Sequence, residues 1–181
     1  VECEECGHTS IRYEPFMYLS LPLRQPGPHG KVCTSLEEAV DAFHKPEKLT
    51  GDNKWYCDHC KDHRDSIRTL SVFVVPPVLI VHLKRFQKVD TPHVLGSTRL
   101  GNLCCLASKI KTLVDCGLDG IRIGDYCEQT YSVFAVINHN GSLRSGHYTA
   151  TCRNRTDDKW YNFDDGSVTE IKSSDVITEQ A

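Results

Sequence analysis

The sequence predicts a β-dominated α+β fold. Three observations predict it. Short runs rich in Val, Ile, Thr, Tyr and Phe recur along the chain between Gly, Pro, Asn and Asp, the pattern of strands and turns. Helical spacing is confined to one or two segments, of which Ser35 to Phe43 is the clear case. The 181 residues suffice for one ordinary domain with a small projecting subdomain, and not for two large domains.

Taken in order, Tyr13 to Leu23 (YEPFMYLSLPL) alternates, is rich in aromatics, and reads as a strand bounded by prolines. Gln25 to Gly30 is a loop. Ser35 to Phe43 (SLEEAVDAF) puts Ser in the cap position, Glu in the first turn, and Leu36, Ala39, Val40 and Phe43 on one face of a short helix. From Ser66 to Phe86, Pro76 and Pro77 separate two β-rich runs, which predicts a strand, a break and a buried strand. Gln87 to Lys109 has no period and reads as a long loop. Three further strands are expected at about Thr130 to Asn138, His147 to Arg153 and Lys159 to Phe163, the last two joined by a turn at Asn154 to Asp158.

A formal charge of −3 and a pI near 6.3 give no basic field of the kind that holds nucleic acid or anionic lipid. The longest apolar run, Val72 to Val81, is too short to span a bilayer, and the first residues lack the basic-then-apolar order of a signal peptide. A soluble chain is expected. It opens on Val1 without an initiator Met and stops at Ala181, so both ends look cut from a longer polypeptide.

Ten cysteines would suggest disulfides in a secreted chain, but their spacing argues otherwise. Cys3 and Cys6, then Cys57 and Cys60, form two C-x-x-C pairs, whereas Cys33, Cys104, Cys105, Cys116, Cys127 and Cys152 show no pairing pattern. An intracellular, reducing compartment with one metal site explains this best. A C-x-x-C pair lets two thiolates reach one ion from a tight turn, and two such turns complete a closed, tetrahedral zinc site. The long spacing between the pairs requires the fold to bring them together. His8, His59 and His63 lie near enough to act as substitute ligands, but four thiolates already close the shell. Four unpaired thiols, or a redox C-x-x-C, are the other readings; the second lacks a strand-to-helix context.

In Asn140 to Ala150 (NGSLRSGHYTA) an Asn-Gly-Ser loop runs into Gly146 and His147 and then a strand. A histidine at a strand start, beside a glycine that leaves room for a substrate backbone, is well placed as a general base. In Lys159 to Val168 (KWYNFDDGSV), Asp164 follows an adjacent strand; if the hairpin pairs as its turn suggests, the carboxylate returns beside His147 and orients the imidazole. On their own, a single histidine is more often a packed or surface residue, and Asp-Asp-Gly more often a plain turn.

The order of these segments resembles the ubiquitin-specific proteases, which are papain-like cysteine deubiquitinases. GHYTA followed by KWYNFDD is similar to the family's histidine box, and PPVLIVHLKRF (Pro76 to Phe86) to its strand before the first blocking loop. CEECGHTS, YEPFMYLSLPL, SLEEAVDAF and WYCDHC match its fingers region in the same order, so the resemblance covers nearly the whole chain. It implies a hand-like architecture of thumb, palm and fingers: residues 1–74 would be fingers with a zinc-ribbon tip and a short helix, and residues 75–181 palm with the histidine box and blocking loops. Most of the thumb would be absent.

By the same resemblance, Cys3, Cys6, Cys57 and Cys60 bind a structural zinc, His147 is the catalytic base, Asp164 its orienting partner and Asp165 a supporting polar residue. Ser145, Gly146 and Tyr148 would contact the substrate tail. Gln87 to Lys109 would contain the first blocking loop and His139 to Gly146 the second. The implied partners are ubiquitin and ubiquitinated proteins, without nucleic acid or membrane, and the implied location is cytoplasmic or nuclear.

The family's nucleophile lies in an N-terminal cysteine box that nothing here matches. Cys152 is five residues beyond His147 in a strand, which puts it on the opposite face, and the remaining cysteines lack the basic or helix-terminal context that lowers a thiol pKa. The expectation is a deubiquitinase portion that hydrolyses bonds at the C-terminal glycine of ubiquitin with a nucleophile from outside this chain, inactive alone. A non-catalytic ubiquitin-binding or scaffold relative is the alternative. A zinc-ribbon adaptor for nucleic acid is disfavoured by the acidic balance.

Overall fold

The computed structural model describes residues 1–25, 30–88, 107–123 and 129–181. The first half runs β1 (Glu2–Cys3), β2 (Leu19–Pro22), α1 (Leu36–His44), β3 (Glu47–Leu49), β4 (Trp55–Cys57), β5 (Asp62–Arg64), β6 (Ser66–Arg68), β7 (Val81–Lys84) and β8 (Phe86–Lys88). The second half runs β9 (Ala107–Lys109), β10 (Ile121–Arg122), β11 (Thr130–Tyr131), β12 (Ala135–Gly141), β13 (Gly146–Arg153), β14 (Trp160–Asp164) and β15 (Ser167–Ile171). The fold is β-dominated, and α1 is the only α-helix among the described residues. No helix of the described residues is long and apolar enough to cross a membrane.

Helix α1 begins where its sequence says it should. The Ser35 hydroxyl accepts from the Glu38 N–H at 3.2 Å, and the Glu38 carboxylate accepts from the Thr34 N–H at 2.7 Å, which closes the first turn and holds that carboxyl below its usual range. The helix buries Leu36, Ala39, Val40 and Ala42 against Leu19, Leu21 and Leu23 of the β2 segment and against Ile110, Val114 and Ile123. Phe43, expected on the buried stripe, is half-buried. This core joins residues from both sides of position 74. Strand β2 pairs in parallel with β7, again across it.

Two small sheets carry the cysteine pairs: β1–β6–β3, and the hairpin of β4 with β5. Later in the chain, β12–β13–β14–β15 form an antiparallel meander. Its register sets Ala150 opposite Phe163 and Thr151 opposite Asn162. One face carries Asn138, Thr151 and Trp160, all buried. The other carries Ile137, Tyr148, Phe163 and Val168, all exposed.

Several expected strands come out shorter or split. Of Tyr13 to Leu23, only Leu19–Pro22 is strand, because its partner β7 is only four residues long; Tyr13, Phe16, Met17 and Tyr18 are exposed. The strand expected after Pro77 is buried on one side only: Leu79, Val81 and Leu83 pack partly buried against the core, whereas Val78 and Ile80 are each 60% exposed and β7 begins only at Val81. The two prolines remove ladder donors just before it.

The segment from Gln87 to Lys109 is not loop throughout, since β8 and β9 zip its two ends together; the expected first blocking loop between them, 89–106, lies outside the described residues. His139 to Gly146 is likewise mostly ladder, leaving a four-residue tip at Ser142 to Ser145. Strand β15 is additional to the three strands expected over Thr130 to Phe163.

Candidate active site and cysteine cluster

The two C-x-x-C turns are near copies. The Gly7 N–H donates to the Cys3 carbonyl at 2.9 Å, and the Lys61 N–H donates to the Cys57 carbonyl at 2.8 Å. Gly7 (φ 68°) and Lys61 (φ 56°) both take the left-handed conformation that turns the chain back after the second cysteine. Glycine does this freely, whereas Lys61 bears a cost of about 1–2 kcal/mol.

Facing each other, the turns bring the four Sγ atoms within 4.8 Å of one another, with Cys6 Sγ 3.7 Å from Cys57 Sγ. Tetrahedral zinc with bonds of about 2.3 Å places its sulfurs about 3.8 Å apart, so the donor set fits that ion. The thiols compete for charge. Burial opposes ionisation of Cys57, yet the backbone N–H groups of Cys60 and His59 and the neighbouring thiols bring it down to about 7. Cys60 is pushed up to about 12, chiefly by its hydrogen bond with Cys6 and by burial. Only a cation lets all four ionise together. Arg64, held by Glu5 at 3.0 Å and Asp62 at 3.5 Å, places a guanidinium beside Cys60.

The second cluster is built by the meander. Continuing the β13–β14 register sets Asp164 opposite Thr149, two residues from His147 and on the same face. His147 Nε2 meets Asp164 Oδ1 at 2.5 Å, with both side chains about half exposed. Asp165, in the two-residue turn between β14 and β15, has its carboxylate within 4.8 Å of both. It takes φ 49°, a conformation that Asp tolerates better than most residues.

His147 is therefore raised above the ordinary imidazole value of 6.5, first by its hydrogen bond to Asp164, then by that carboxylate's charge and by Asp165. The folded chain binds this proton more tightly than the unfolded chain does. The contact stabilises the fold fully below pH 6.5, and the contribution is lost as pH rises through the raised value.

The remaining candidates surround the hairpin tip. Ser145 spends its backbone on the tip itself: its carbonyl accepts from the Ser142 N–H at 2.7 Å and its N–H donates to the Ser142 hydroxyl at 3.3 Å. Tyr148 is exposed, and its ring lies 4.6 Å from that of His139. Gly146 was expected to leave room for a substrate backbone, but the space a side chain would take is already filled, since a Cβ there would overlap His139 Nε2 and the Asn140 carbonyl oxygen. His139 was not among the candidates, although the hairpin register places it directly opposite Tyr148. Cys152 lies on the face opposite His147, beside Tyr161 and Phe163, and Cys33 is buried in the core. Cys104, Cys105 and Cys127 lie outside the described residues.

Comparison with known proteins gives one consistent result. The family model described as ubiquitin carboxyl-terminal hydrolase matches residues 1–181. Ubiquitin carboxyl-terminal hydrolase 2 of Gallus gallus is 33% identical over 184 residues, covering 99% of this chain and 47% of that protein. Ubiquitin carboxyl-terminal hydrolase 15 of Homo sapiens is 32% identical over 180 residues, covering 96% of this chain and 16% of that protein. This chain thus spans less than half the length of these relatives.

Among solved structures, the Ubp8-containing SAGA DUB module bound to monoubiquitin superposes with a TM-score of 0.72 at 28% identity, covering 99% of this chain and 37% of that one. A yeast SAGA DUB module structure gives 0.73 at 27%, with the same coverage. The β-dominated fold is the fold of these deubiquitinases.

The contact between His147 and Asp164 has a direct readout. Titration followed by histidine NMR is expected to place the His147 midpoint above 6.5, and Asp164→Asn to return it towards that value. A midpoint that Asp164→Asn leaves in place contradicts the geometry.

Proposed function

The chain belongs to the ubiquitin carboxyl-terminal hydrolase family, and from that premise we propose that it is the base-bearing, zinc-carrying portion of a cysteine deubiquitinase. The observation that carries this reading is the hydrogen-bonded pair of His147 and Asp164 at the mouth of the β12–β13 hairpin. Asp164 engages Nε2, so Nδ1 is the ring atom left for a thiol. A thiolate supplied by a segment outside this chain attacks the carbonyl carbon of the last glycine of ubiquitin. His147, protonated on taking the thiol proton, passes it to the departing lysine amine, and water then hydrolyses the thioester with His147 as base. Asp164 holds the tautomer and stabilises the imidazolium, and Asp165 adds negative charge to the same end. Tyr148, Gly146 and Ser145 border the path of the ubiquitin tail. The substrates in this reading are ubiquitinated proteins.

Cys3, Cys6, Cys57 and Cys60 would hold a structural zinc, which closes the tip of the fingers and takes no part in the chemistry. The strands around it are two or three residues long, and the fully buried side chains among them are Cys3, Cys57 and Ser66. A tip with so little apolar burial depends on a cross-link, which zinc supplies as folding free energy. Four thiols in reduced form also suit a reducing compartment such as cytoplasm or nucleus.

Two outcomes test these assignments. One zinc per chain, released by a strong chelator with a large fall in melting temperature that Cys57→Ser reproduces, is expected by elemental analysis and calorimetry; melting unchanged by the chelator removes zinc from the account. In the full polypeptide containing this chain, His147→Ala is expected to lower turnover of a ubiquitin–lysine isopeptide by roughly 100-fold to 10,000-fold with ubiquitin affinity nearly intact. Surviving turnover would mean that another group is the base.

A further inference from the structure

The hairpin that carries His147 on β13 holds a second histidine, His139, on β12, and nearly every polar group of that residue is tied down. Its N–H donates to the Gln180 carbonyl at 2.9 Å. Its carbonyl accepts from Lys109 Nζ, and its Nδ1 lies 3.3 Å from the same ammonium. An ammonium only donates, so Nδ1 accepts and the neutral ring carries its proton on Nε2. The ring is also wedged between two others, with Phe86 at 5.8 Å and Tyr148 at 4.6 Å. The side that remains, Nε2 and Cε1, lies over Gly146, in the volume that any Cβ at that position would need.

We propose that His139 is a positioning residue for His147: its ring braces Gly146, the residue from which the strand bearing the base starts. This rests on His147 being the base. The last rungs of the β12–β13 ladder pair Asn140 with His147 and Gly141 with Gly146, immediately before the four-residue tip. Rungs at a strand end open most easily. A ring locked by Lys109, Phe86 and Tyr148 and pressed on Gly146 holds those rungs closed, and with them the direction in which His147 leaves the backbone towards Asp164. Lys109 belongs to β9, so the brace also connects the β8–β9 hairpin to the site. It explains why position 146 is glycine without calling on substrate, since the protein's own ring occupies the space.

The test compares His139→Ala with His139→Phe, which keeps a ring over Gly146, in the full polypeptide containing this chain. The substrate is ubiquitin carrying a C-terminal fluorophore. His139→Ala is expected to lower kcat by about tenfold or more, with KM within about twofold, and His139→Phe to restore most of the loss. In parallel, histidine NMR is expected to show the His147 midpoint falling towards 6.5 in His139→Ala and staying raised in His139→Phe.

A rise in KM alone would make His139 a substrate contact and overturn the proposal, as would kcat and midpoint both unchanged. If the unmodified protein does not cleave ubiquitin, the functional reading fails, while the His147 midpoint still decides the positioning role. Should His139→Ala not fold, Lys109→Met, which frees Nδ1 and keeps the ring, decides the matter. A drop in kcat of about two- to fivefold at constant KM supports the brace, and an unchanged kcat refutes it.

Discussion

The register between β13 and β14 is the constraint on which the candidate site depends. Side chains alternate along a strand, so a slip of one residue would send Asp164 to the face opposite His147 and abolish the pair. The register is held from several directions. Trp160 and Thr151 are buried on the shared face, and the Thr151 hydroxyl reaches Asn162 across the rung at 3.4 Å. At the turn, Arg153 pairs with Asp158 at 2.8 Å, and the Asn154 N–H donates to the Lys159 carbonyl at 2.8 Å. The exposed ion pairs are individually weak. Burial of Trp160 is what makes the alternative register expensive, because it would carry the indole into water.

The cysteine cluster solves a different problem with the same economy of residues. Strands of two and three residues cannot bury enough apolar surface to order themselves. Their two turns instead converge on a common point, each ended by a residue in the left-handed conformation, and gather four sulfurs within 4.8 Å of one another, a donor set that suits a tetrahedral ion. The core proper lies elsewhere, where α1 packs on β2 and on Ile110, Val114 and Ile123. Of the apolar segments at Tyr13 to Tyr18 and Leu70 to Ile80, Val72 and Leu79 pack against it, whereas Tyr13, Phe16, Met17, Tyr18, Leu70, Phe73, Val74, Val78 and Ile80 are exposed.

What could be read from the sequence was whatever is encoded locally. The C-x-x-C pairs, the Ser35 cap with Glu38 three residues on, and the His147 and Asp164 strands joined by a short turn all specify their own geometry within a few residues. What could not be read was pairing. Whether Val78 and Ile80 are buried depends on what lies against them, which composition does not state. Strand β15 (SVTEI) is polar on most positions and exists because β14 offers it an edge. His139 escaped notice for the same reason: its role appears only once the register sets it across from Tyr148 and leans its ring over Gly146. Gly146 was singled out for the room it leaves a substrate backbone; that the His139 ring takes the space beside it could be read only from the register.

The central claim is that this chain supplies the base, and another segment the nucleophile, of a single ubiquitin-cleaving site. Reaction with ubiquitin bearing a C-terminal electrophile tests it most directly, comparing this chain with the full polypeptide that contains it. The account predicts a covalent ubiquitin adduct on a cysteine outside this chain in the full polypeptide, and no adduct on this chain alone. Labelling of neither protein, or labelling of one of the cysteines described above, would contradict it.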